Sequence, residues 1–463
     1  MSLRSALAFL LIAATVGCWR PHNDELCKKE VQRDDALLPA HTTDDFVDNP
    51  LALAPLPSGR AYVVFRSAPT VASEGTELRG VAIGQDGRVL AGCRTTADEV
   101  LDAIQPSAAA PDLRGLASIA GPLPDADYGL ITYASVAGAD PLQVKGMLLG
   151  KTGCAGETTD QPPVPFLVAS VDVSEDVDLP VAVPFLTNPR TEEFVVLWLT
   201  NTRATPILTT VRARAFGRGS QGIKPLATIN SAAGDPVEVD VGSRSVQAIQ
   251  AVALADREFV LVWYEWDLKI GRVRLQKFTD TLSPVGDPLT VDSDSDADPP
   301  LFDKTVLAAF DGSRLIVVWT KLEAGFWSVT ARIFDANATP LTDPFFVGKG
   351  GSDELHPTVT TLPGGGFFLA WNRADGDGSG TGVRATALYP DGTARYQTVG
   401  CVEGEFTLNA TIAGNQSWPN VAQLTTGSIL ALWNSQRVPG QIMTELRDTL
   451  VVPSNLFPYW RQP

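Results

Sequence analysis

A short apolar run that ends in an aromatic residue returns along the whole chain, and it limits the folds open to this sequence. Its clearest copy covers residues 367–371 and follows Pro363-Gly364-Gly365-Gly366. The seven copies end at Phe65, Tyr133, Trp198, Trp263, Trp319, Trp371 and Trp433. Successive anchors lie 68, 65, 65, 56, 52 and 62 residues apart. Such regular spacing is typical of a repeat architecture.

Each repeat contains four strand-sized segments divided by Gly, Pro and Asp, and the sixth repeat shows them best. Its segments cover residues 357–362, 367–371, 383–388 and 394–399. They are rich in β-branched residues, which favours strands. The third alternates polar and apolar residues, whereas the second is apolar on both faces, as in a strand buried between two sheets. Four-stranded units of this kind are typical of β-propeller blades.

The order of landmarks within the repeat resembles that of a known group of proteins. The landmarks are Pro-x-Val-x-x-Leu, Gly-Gly-Phe-x-x-x-Trp, Val-Arg-Ala and Pro-Asp-Gly. They resemble tandem-repeat β-propeller lipoproteins of bacteria over residues 45–453. The seven anchors themselves predict an all-β fold, a single β-propeller of seven four-stranded blades over residues 45–463. The resemblance implies little about function, because one propeller type binds many different partners.

One segment has a helical pattern instead. Thr96 and Glu99 have the spacing of a capping box, which predicts a helix of one or two turns that ends before Pro106.

The N-terminus has the features of an export signal. Residues 1–17 combine Arg4 with an apolar core too short to span a bilayer. Thr15-Val16-Gly17-Cys18 resembles the lipobox of bacterial lipoproteins, which implies acylation of Cys18, and Trp19 after it resembles the pattern of outer-membrane lipoproteins. An ordinary cleaved signal that leaves Cys18 as a thiol is the alternative. Polar residues 18–44 are predicted to form a tether.

The net charge of −17 excludes some partners. It repels phosphate backbones and anionic lipid surfaces, so we expect no nucleic acid partner and membrane contact only through an N-terminal lipid.

The four remaining cysteines are Cys27, Cys93, Cys154 and Cys401. An even number in an exported chain permits two disulfides with three connectivities. We predict Cys93–Cys154 between adjacent repeats and Cys27–Cys401 between the tether and the sixth repeat.

Catalytic motifs are absent from the sequence. No Gly-x-Ser-x-Gly or His-Glu-x-x-His occurs, and the only histidines are His22, His41 and His356. Gly150-Lys151-Thr152 lacks the spacing and the helix of a phosphate loop, so we interpret it as a turn. We therefore assign no catalytic residue.

Two acidic loops have part of a Ca²⁺-binding pattern. Asp292, Asp294 and Asp296 alternate in one, and Asp375 and Asp377 alternate with glycines in the other. The second resembles the start of an EF-hand loop but has Thr386 where a carboxylate is needed. Ca²⁺ is the one cofactor considered; the alternative is that these are solvated turns.

Polar residues before the first strands form the main candidate ligand site. In a propeller the first strands line the central channel, so these residues would ring one mouth of it. They are Asp48, Asp112, Arg114, Asp178, Asp303, Glu354, His356 and Trp418.

These observations favour a non-catalytic, lipid-anchored envelope propeller that binds a protein or glycan partner at the cell surface or in the periplasm. The alternative is a carbohydrate-active, glycoside hydrolase-like enzyme that pairs Asp178 with Asp303 or Glu354, which requires carboxyls about 5–10 Å apart. A third hypothesis is a structural envelope component without a small ligand.

The lipobox yields a first prediction. Because acylation anchors the mature chain, the wild-type protein should partition into detergent, and Cys18→Ser should release it or leave it unprocessed. Phase partitioning and N-terminal mass analysis check this. A soluble mature chain that starts at another residue would exclude the anchor.

Overall fold

The computed structural model describes a set of strands and turns along the chain. The described residues are 36–38, 52–56, 59–67, 76–84, 99–104, 118–120, 128–135, 142–150, 165–172, 174–185, 192–203, 207–219, 222–228, 230–242, 245–254, 257–267, 270–294, 305–348, 350–374, 376, 378, 380–395, 404–409, 414–436 and 446–452.

The fold is all-β: the described ranges contain strands and no α-helix. In chain order the strands are β1 (Ala36–Leu38), β2 (Ala52–Pro55), β3 (Ala61–Ser67), β4 (Thr76–Ile83), β5 (Glu99–Ile104), β6 (Ser118–Ala120), β7 (Tyr128–Ser135), β8 (Gln143–Gly150), β9 (Phe166–Ser170), β10 (Glu175–Pro184), β11 (Glu192–Thr202), β12 (Thr209–Gly219), β13 (Gly222–Pro225), β14 (Val237–Val239), β15 (Val246–Ala253), β16 (Glu258–Asp267), β17 (Ile270–Thr279), β18 (Pro284–Asp294), β19 (Val306–Phe310), β20 (Arg314–Glu323), β21 (Phe326–Asp335), β22 (Phe345–Phe346), β23 (Glu354–Thr361), β24 (Phe367–Ala374), β25 (Thr381–Leu388), β26 (Glu405–Thr407), β27 (Asn415–Gln423), β28 (Ile429–Gln436) and β29 (Leu446–Val452). Within these ranges no helix is long and apolar enough to cross a membrane.

The described strands form seven antiparallel sheets, and six of them are built from consecutive strands. Sheets I to VI comprise β2–β5, β6–β9, β10–β14, β15–β18, β19–β22 and β23–β26. Sheet VII has the order β1-β29-β28-β27, so its fourth strand comes from the other end of the chain. β1 lies within residues 18–44, the predicted tether, and pairs with β29.

Two predicted elements are wrong. Glu99, placed in a helix by the capping box, begins β5, because pairing with β4 outweighs a weak local helix signal. The fourth strand of the sixth repeat is β26, not a segment that starts at Ala394. Ala394 forms only an isolated bridge to Leu388, after the turn at Pro390-Asp391-Gly392.

The sheets contact one another through their first strands. β2, β6, β10, β15, β19, β23 and β27 each contact the first strand of the next sheet, and β27 contacts β2. An apolar cluster that includes Leu430 and Leu432 of sheet VII and Val63 of sheet I lies at that last contact. The arrangement is therefore β-propeller-like.

The second strands are buried on both faces, as predicted. In sheet IV, Phe259, Leu261 and Trp263 pack against sheet III, whereas Val260 and Val262 pack against sheet V. Trp198, Trp319, Trp371 and Trp433 likewise face the preceding sheet and are buried. One second strand thus belongs to two cores at once.

A β-bulge at the first strand faces the anchor in three sheets. Pairing shifts between Asp178 and Val181, between Leu355 and Thr358, and between Ser417 and Asn420. Each bulge contains a proline (Pro180, Pro357 and Pro419). Because proline cannot donate to the ladder, two residues there oppose one tryptophan of the second strand.

Arginines of the third strands tie neighbouring sheets together. Arg214 Nη1 donates to Val168 O of sheet II at 2.7 Å, and Arg332 Nη1 donates to Val291 O of sheet IV at 2.8 Å. These bonds satisfy carbonyls on the fourth strand of the sheet before.

The anchors yield a stability prediction. Trp371 is fully buried between sheets V and VI, so Trp371→Ala should lower the free energy of unfolding by about 3–5 kcal/mol. Phe346→Ala is the matched control, because Phe346 is 52% exposed on the outer strand β22 and its loss should cost under about 0.5 kcal/mol. Denaturant unfolding measures both. Equal denaturant midpoints for Trp371→Ala and wild type would show that the Trp371 side chain does not contribute to the free energy of unfolding.

Candidate functional site

Polar and aromatic side chains gather where the first strands of sheets VI and VII begin. We call this the entry end: there the first strand of a sheet starts and its second strand finishes. Thr358 Oγ1 accepts from Val421 N and Thr360 Oγ1 from Gln423 N, so β23 and β27 run in the same direction. Their entry ends therefore lie side by side.

Of the eight predicted channel-mouth residues, the structure brings two together. His356 and Trp418 stack, with ring centroids 3.4 Å apart and an interplanar angle of 24°. The described residues do not include Asp48, Asp112, Arg114 or Asp303, and Asp178 lies in β10 without a described side chain.

Glu354 does not lie at an open mouth, which corrects its predicted place. The bulge registers make Asp178 equivalent to Leu355 and Ser417, one position away from Glu354. Neighbouring strand residues point to opposite faces, so a place shortly before the proline does not by itself determine which face a side chain occupies. Glu354 is fully buried and points toward sheet V.

The Glu354 carboxylate is held by donors from the preceding sheet and its loop. Val329 N donates to Oε2 at 3.4 Å and Gly350 N to Oε1 at 3.1 Å. Gly348 packs so closely that a Cβ there would lie 2.1 Å from Oε2. Burial raises the pKa of Glu354, and Glu405 adds to this, while the two N–H donors and Arg373 act in the opposite direction.

Two arginines complete a buried charged cluster between sheets V and VI. Arg373 Nη1 lies 3.3 Å from both Glu354 Oε1 and Glu405 Oε1. Arg384 Nε donates to Glu405 Oε1 at 2.6 Å. Two carboxylates and two guanidinium groups therefore compensate one another at this end of the molecule.

The His356–Trp418 stack depends on an unusual backbone. The described non-glycine residues with positive φ are Arg257, Leu282, Ala324, Ala338, His356 and Trp418. The first four are in turns, whereas His356 (φ 51°) and Trp418 (φ 55°) lie inside strands at equivalent bulge positions. Both precede a proline, which restricts their backbone further. Such a conformation costs about 1–3 kcal/mol per residue and is concentrated at functional sites.

Asn372 contacts the imidazole of the stack. Its Nδ2 is 2.8 Å from His356 Nδ1 and donates to it when the imidazole proton is on Nε2. Asn372 is only 5% exposed, and its Oδ1 has no partner among the described atoms. If the amide were turned over, Nδ2 would be the atom without a partner. One buried amide atom is therefore unsatisfied at this site.

Amides replace the charged cluster at the junction of sheets VI and VII. Val383 N donates to Asn409 Oδ1 at 2.8 Å, and Asn409 Nδ2 donates to Gln416 Oε1 at 3.2 Å. Gln416 occupies the position in β27 that Glu354 occupies in β23. The neutral junction joins sheets VI and VII, the same two sheets that carry the stack, and the charged one joins sheets V and VI.

The predicted metal loops are only partly described. Asp292 pairs with Lys321, whose Nζ lies 3.1 Å from Oδ2. The side chain of Asp294 and all of Asp296, Asp375 and Asp377 lie outside the described residues. Within the described ranges, no three His, Cys, Asp or Glu side chains could hold a metal ion. Cys18, Cys27, Cys93, Cys154 and Cys401 also lie outside them.

Sequence reasoning missed Asn372, Arg373 and Glu405. The first two directly follow the anchor Trp371, so they occupy the entry end of the second strand by position alone. This signal was available in the repeat, but polar residues after an apolar run usually indicate only that the strand reaches solvent.

Comparisons with known proteins give structural likenesses only. No protein-family model and no curated protein matches the sequence. A polysaccharide lyase of family PL25, an ulvan lyase, is 9% identical with a TM-score of 0.49, covering 89% of this chain and 95% of that one. The NanB sialidase of Streptococcus pneumoniae is 8% identical with a TM-score of 0.43 (91% and 70% covered). The intramolecular trans-sialidase of Ruminococcus gnavus is 8% identical with a TM-score of 0.44 (94% and 99%). At these values none assigns an activity to this chain.

The buried carboxylate yields a pH prediction. An acid whose pKa is raised by folding stabilises the protein fully below its unfolded pKa of about 4.3, and that contribution is lost as pH rises through the folded pKa. Glu354→Gln cannot titrate, so wild type should lose stability relative to this variant as pH increases above about 4.3. Denaturant unfolding from pH 4 to 8 measures the difference. Asp172→Asn is the control: hydrogen bonds from Ser174 lower the pKa of Asp172 below its ordinary 3.8, so the difference between this variant and wild type should stay nearly constant from pH 4 to 8. Parallel curves for Glu354→Gln and wild type would contradict the prediction.

Proposed function

We propose that this protein is a closed, seven-bladed β-propeller that binds a neutral glycan, without catalysis, at the entry end between sheets VI and VII. The proposal includes export and lipid attachment at Cys18, with the propeller acting in the bacterial envelope. Its partner is a glycan of the envelope or the glycan part of an envelope protein.

The blade arrangement is supported by the contacts between sheets. Consecutive first strands touch in a circuit that returns from β27 to β2, and β1 supplies the outer strand of sheet VII. Because β1 and β29 come from opposite ends of the chain, their pairing in sheet VII would hold the ring of sheets closed. It would also hold the entry ends of neighbouring sheets in place.

The observation that carries the binding proposal is the His356–Trp418 stack. Two strained residues on neighbouring strands bring their rings together at a half-buried position instead of relaxing into regular strands. Strain of this kind persists only where the surrounding structure enforces it. The partly exposed rings offer an apolar, rigid surface of the type that binding sites use as anchors.

The surroundings of the stack favour a neutral, hydroxyl-rich ligand. A sugar ring has an apolar C–H face that can lie on an aromatic ring and hydroxyls that can bond amides. Asn372 has the unsatisfied amide atom, and Asn409 and Gln416 keep the junction uncharged. The charged cluster of Glu354, Glu405, Arg373 and Arg384 compensates its own charges, so it has no net charge with which to select an ion.

The carbohydrate-active alternative requires the same ligand class and two accessible carboxyls. Glu354 and Glu405 are buried and engaged by Arg373, so they do not provide such a pair. Asp178 and Asp303 remain the candidates for that alternative. Product analysis of the same glycans separates the two functions.

Calorimetry with neutral oligosaccharides tests the proposal. Fragments of β-glucan, chitin and mannan are titrated into wild type, Trp418→Ala and the control Phe346→Ala, whose side chain lies on the outer strand of sheet V. Loss of an aromatic anchor worth about 2 kcal/mol should raise Kd by about 30-fold. Phe346→Ala should bind as wild type does. Trp418→Phe keeps an aromatic ring and should retain most of the affinity.

Three outcomes would decide against the proposal. The first is that wild type binds no fragment of the panel. The second is that Trp418→Ala, shown by unfolding to be folded, binds with unchanged Kd. The third is the appearance of new reducing or unsaturated ends in the incubated glycans, which would replace binding by the enzymatic alternative.

A further inference from the structure

The chain contains three Asn-x-Ser/Thr tripeptides, and the structure distinguishes among them. They begin at Asn337, Asn409 and Asn415, and none has Pro in the middle. In an exported chain this tripeptide is the acceptor sequence for N-linked glycans. The acceptor must be at the surface, because an attached glycan is bulky and solvated.

Asn409 is unsuited to carry a glycan. It is 4% exposed, and its amide already joins Val383 N to Gln416 Oε1. A sugar on Nδ2 would have no space at the junction of sheets VI and VII.

Asn415 is exposed but is held in an extended strand. It begins β27, where residues i and i+2 are about 6.6 Å apart, so the Ser417 hydroxyl is kept away from the Asn415 amide. Its Oδ1 also accepts from Thr381 N at 3.1 Å and packs against Gly380, where a Cβ would lie 2.4 Å away.

Asn337 lies at the tip of an exposed turn that follows β21. Asp335 Oδ1 accepts from Asn337 N at 2.9 Å and from Thr339 N at 2.8 Å, and Asp335 N donates to Thr339 O. Ala338 adopts φ 64°, and the backbone N–H groups of Asn337 and Thr339 both point to Asp335 Oδ1, so the segment is a tight turn. Both side chains are exposed, and within the described structure the Asn337 carboxamide makes no hydrogen bond.

We propose that Asn337 is a site of N-linked glycosylation. The co-reactant is a glycosyl diphosphate donor: Asn337 Nδ2 bonds to the anomeric carbon, the bond from that carbon to the diphosphate oxygen breaks, and one amide proton passes to a base. No oxidation or reduction takes place. The proposal depends on the predicted export of the chain and not on the glycan-binding function. Asn337 follows the third strand of sheet V, at the end opposite the entry end, so a glycan there leaves the stack of His356 and Trp418 open.

Peptide mass spectrometry of the protein purified from its own cells tests the site. Trypsin releases residues 333–349 with Asn337 and residues 396–437 with Asn409 and Asn415, so one digest separates the turn from the other two tripeptides. We expect a glycan mass on peptide 333–349 of wild type and of Thr339→Ser. Asn337→Gln and Thr339→Ala should lose it, although Thr339→Ala leaves the acceptor amide in place.

An unmodified peptide 333–349 in the wild-type protein would overturn the proposal. So would a glycan on that peptide that persists in Asn337→Gln, or a glycan found instead on peptide 396–437. Calorimetric binding of oligosaccharides is independent of these results, so the two proposals can fail separately.

Discussion

Burial of each second strand on both faces is the constraint on which the rest of this structure depends. Such a strand has no side that can face water, so it is stable only with a sheet on either flank. In sheet IV, Phe259 and Trp263 belong to the core shared with sheet III, while Val260 and Val262 belong to the core shared with sheet V. Repeating this requirement along the chain places the sheets side by side. It also leaves each sheet dependent on its neighbours, as in other repeat proteins.

Burial of the second strands also determines the local structure of the candidate site. A buried tryptophan in the second strand faces a proline-containing bulge in the first, because proline cannot join the ladder. The bulge turns His356 and Trp418 out of the regular alternation and into a stack. The strained backbone is tolerable because packing at Trp371 and Trp433 holds both strands in place. The proposed glycan site thus takes its rigidity from the core beneath it.

The two junctions of sheet VI solve one problem with different chemistry. The third strand of the preceding sheet has a backbone N–H that needs an acceptor at the entry end. For Val329 N the acceptor is the Glu354 carboxylate, so a charge is buried and Arg373 is needed to compensate it. For Val383 N the acceptor is the neutral amide oxygen of Asn409. Burial of the charge raises the pKa of Glu354, and the neutral junction has no such dependence on pH. The stack is formed by the same two sheets as the neutral junction, which suits a ligand without charge.

The sequence by itself determined the all-β fold, the period of the repeats and the burial of the second strands on both faces. These properties depend on the local pattern of apolar residues, which can be read directly from the sequence. It also identified His356 and Trp418 as candidates, through their place before Pro357 and Pro419. Only the tertiary structure decided that these two rings stack, that Glu354 is buried toward sheet V, and that Asn372 contacts His356. Local signals also failed at Glu99, where pairing with a neighbouring strand outweighed a helix cap. The physical reason is strand register. One extra residue in a bulge moves the following side chains to the opposite face of the sheet. The position of that extra residue is set by pairing between strands and cannot be read from spacing along the chain.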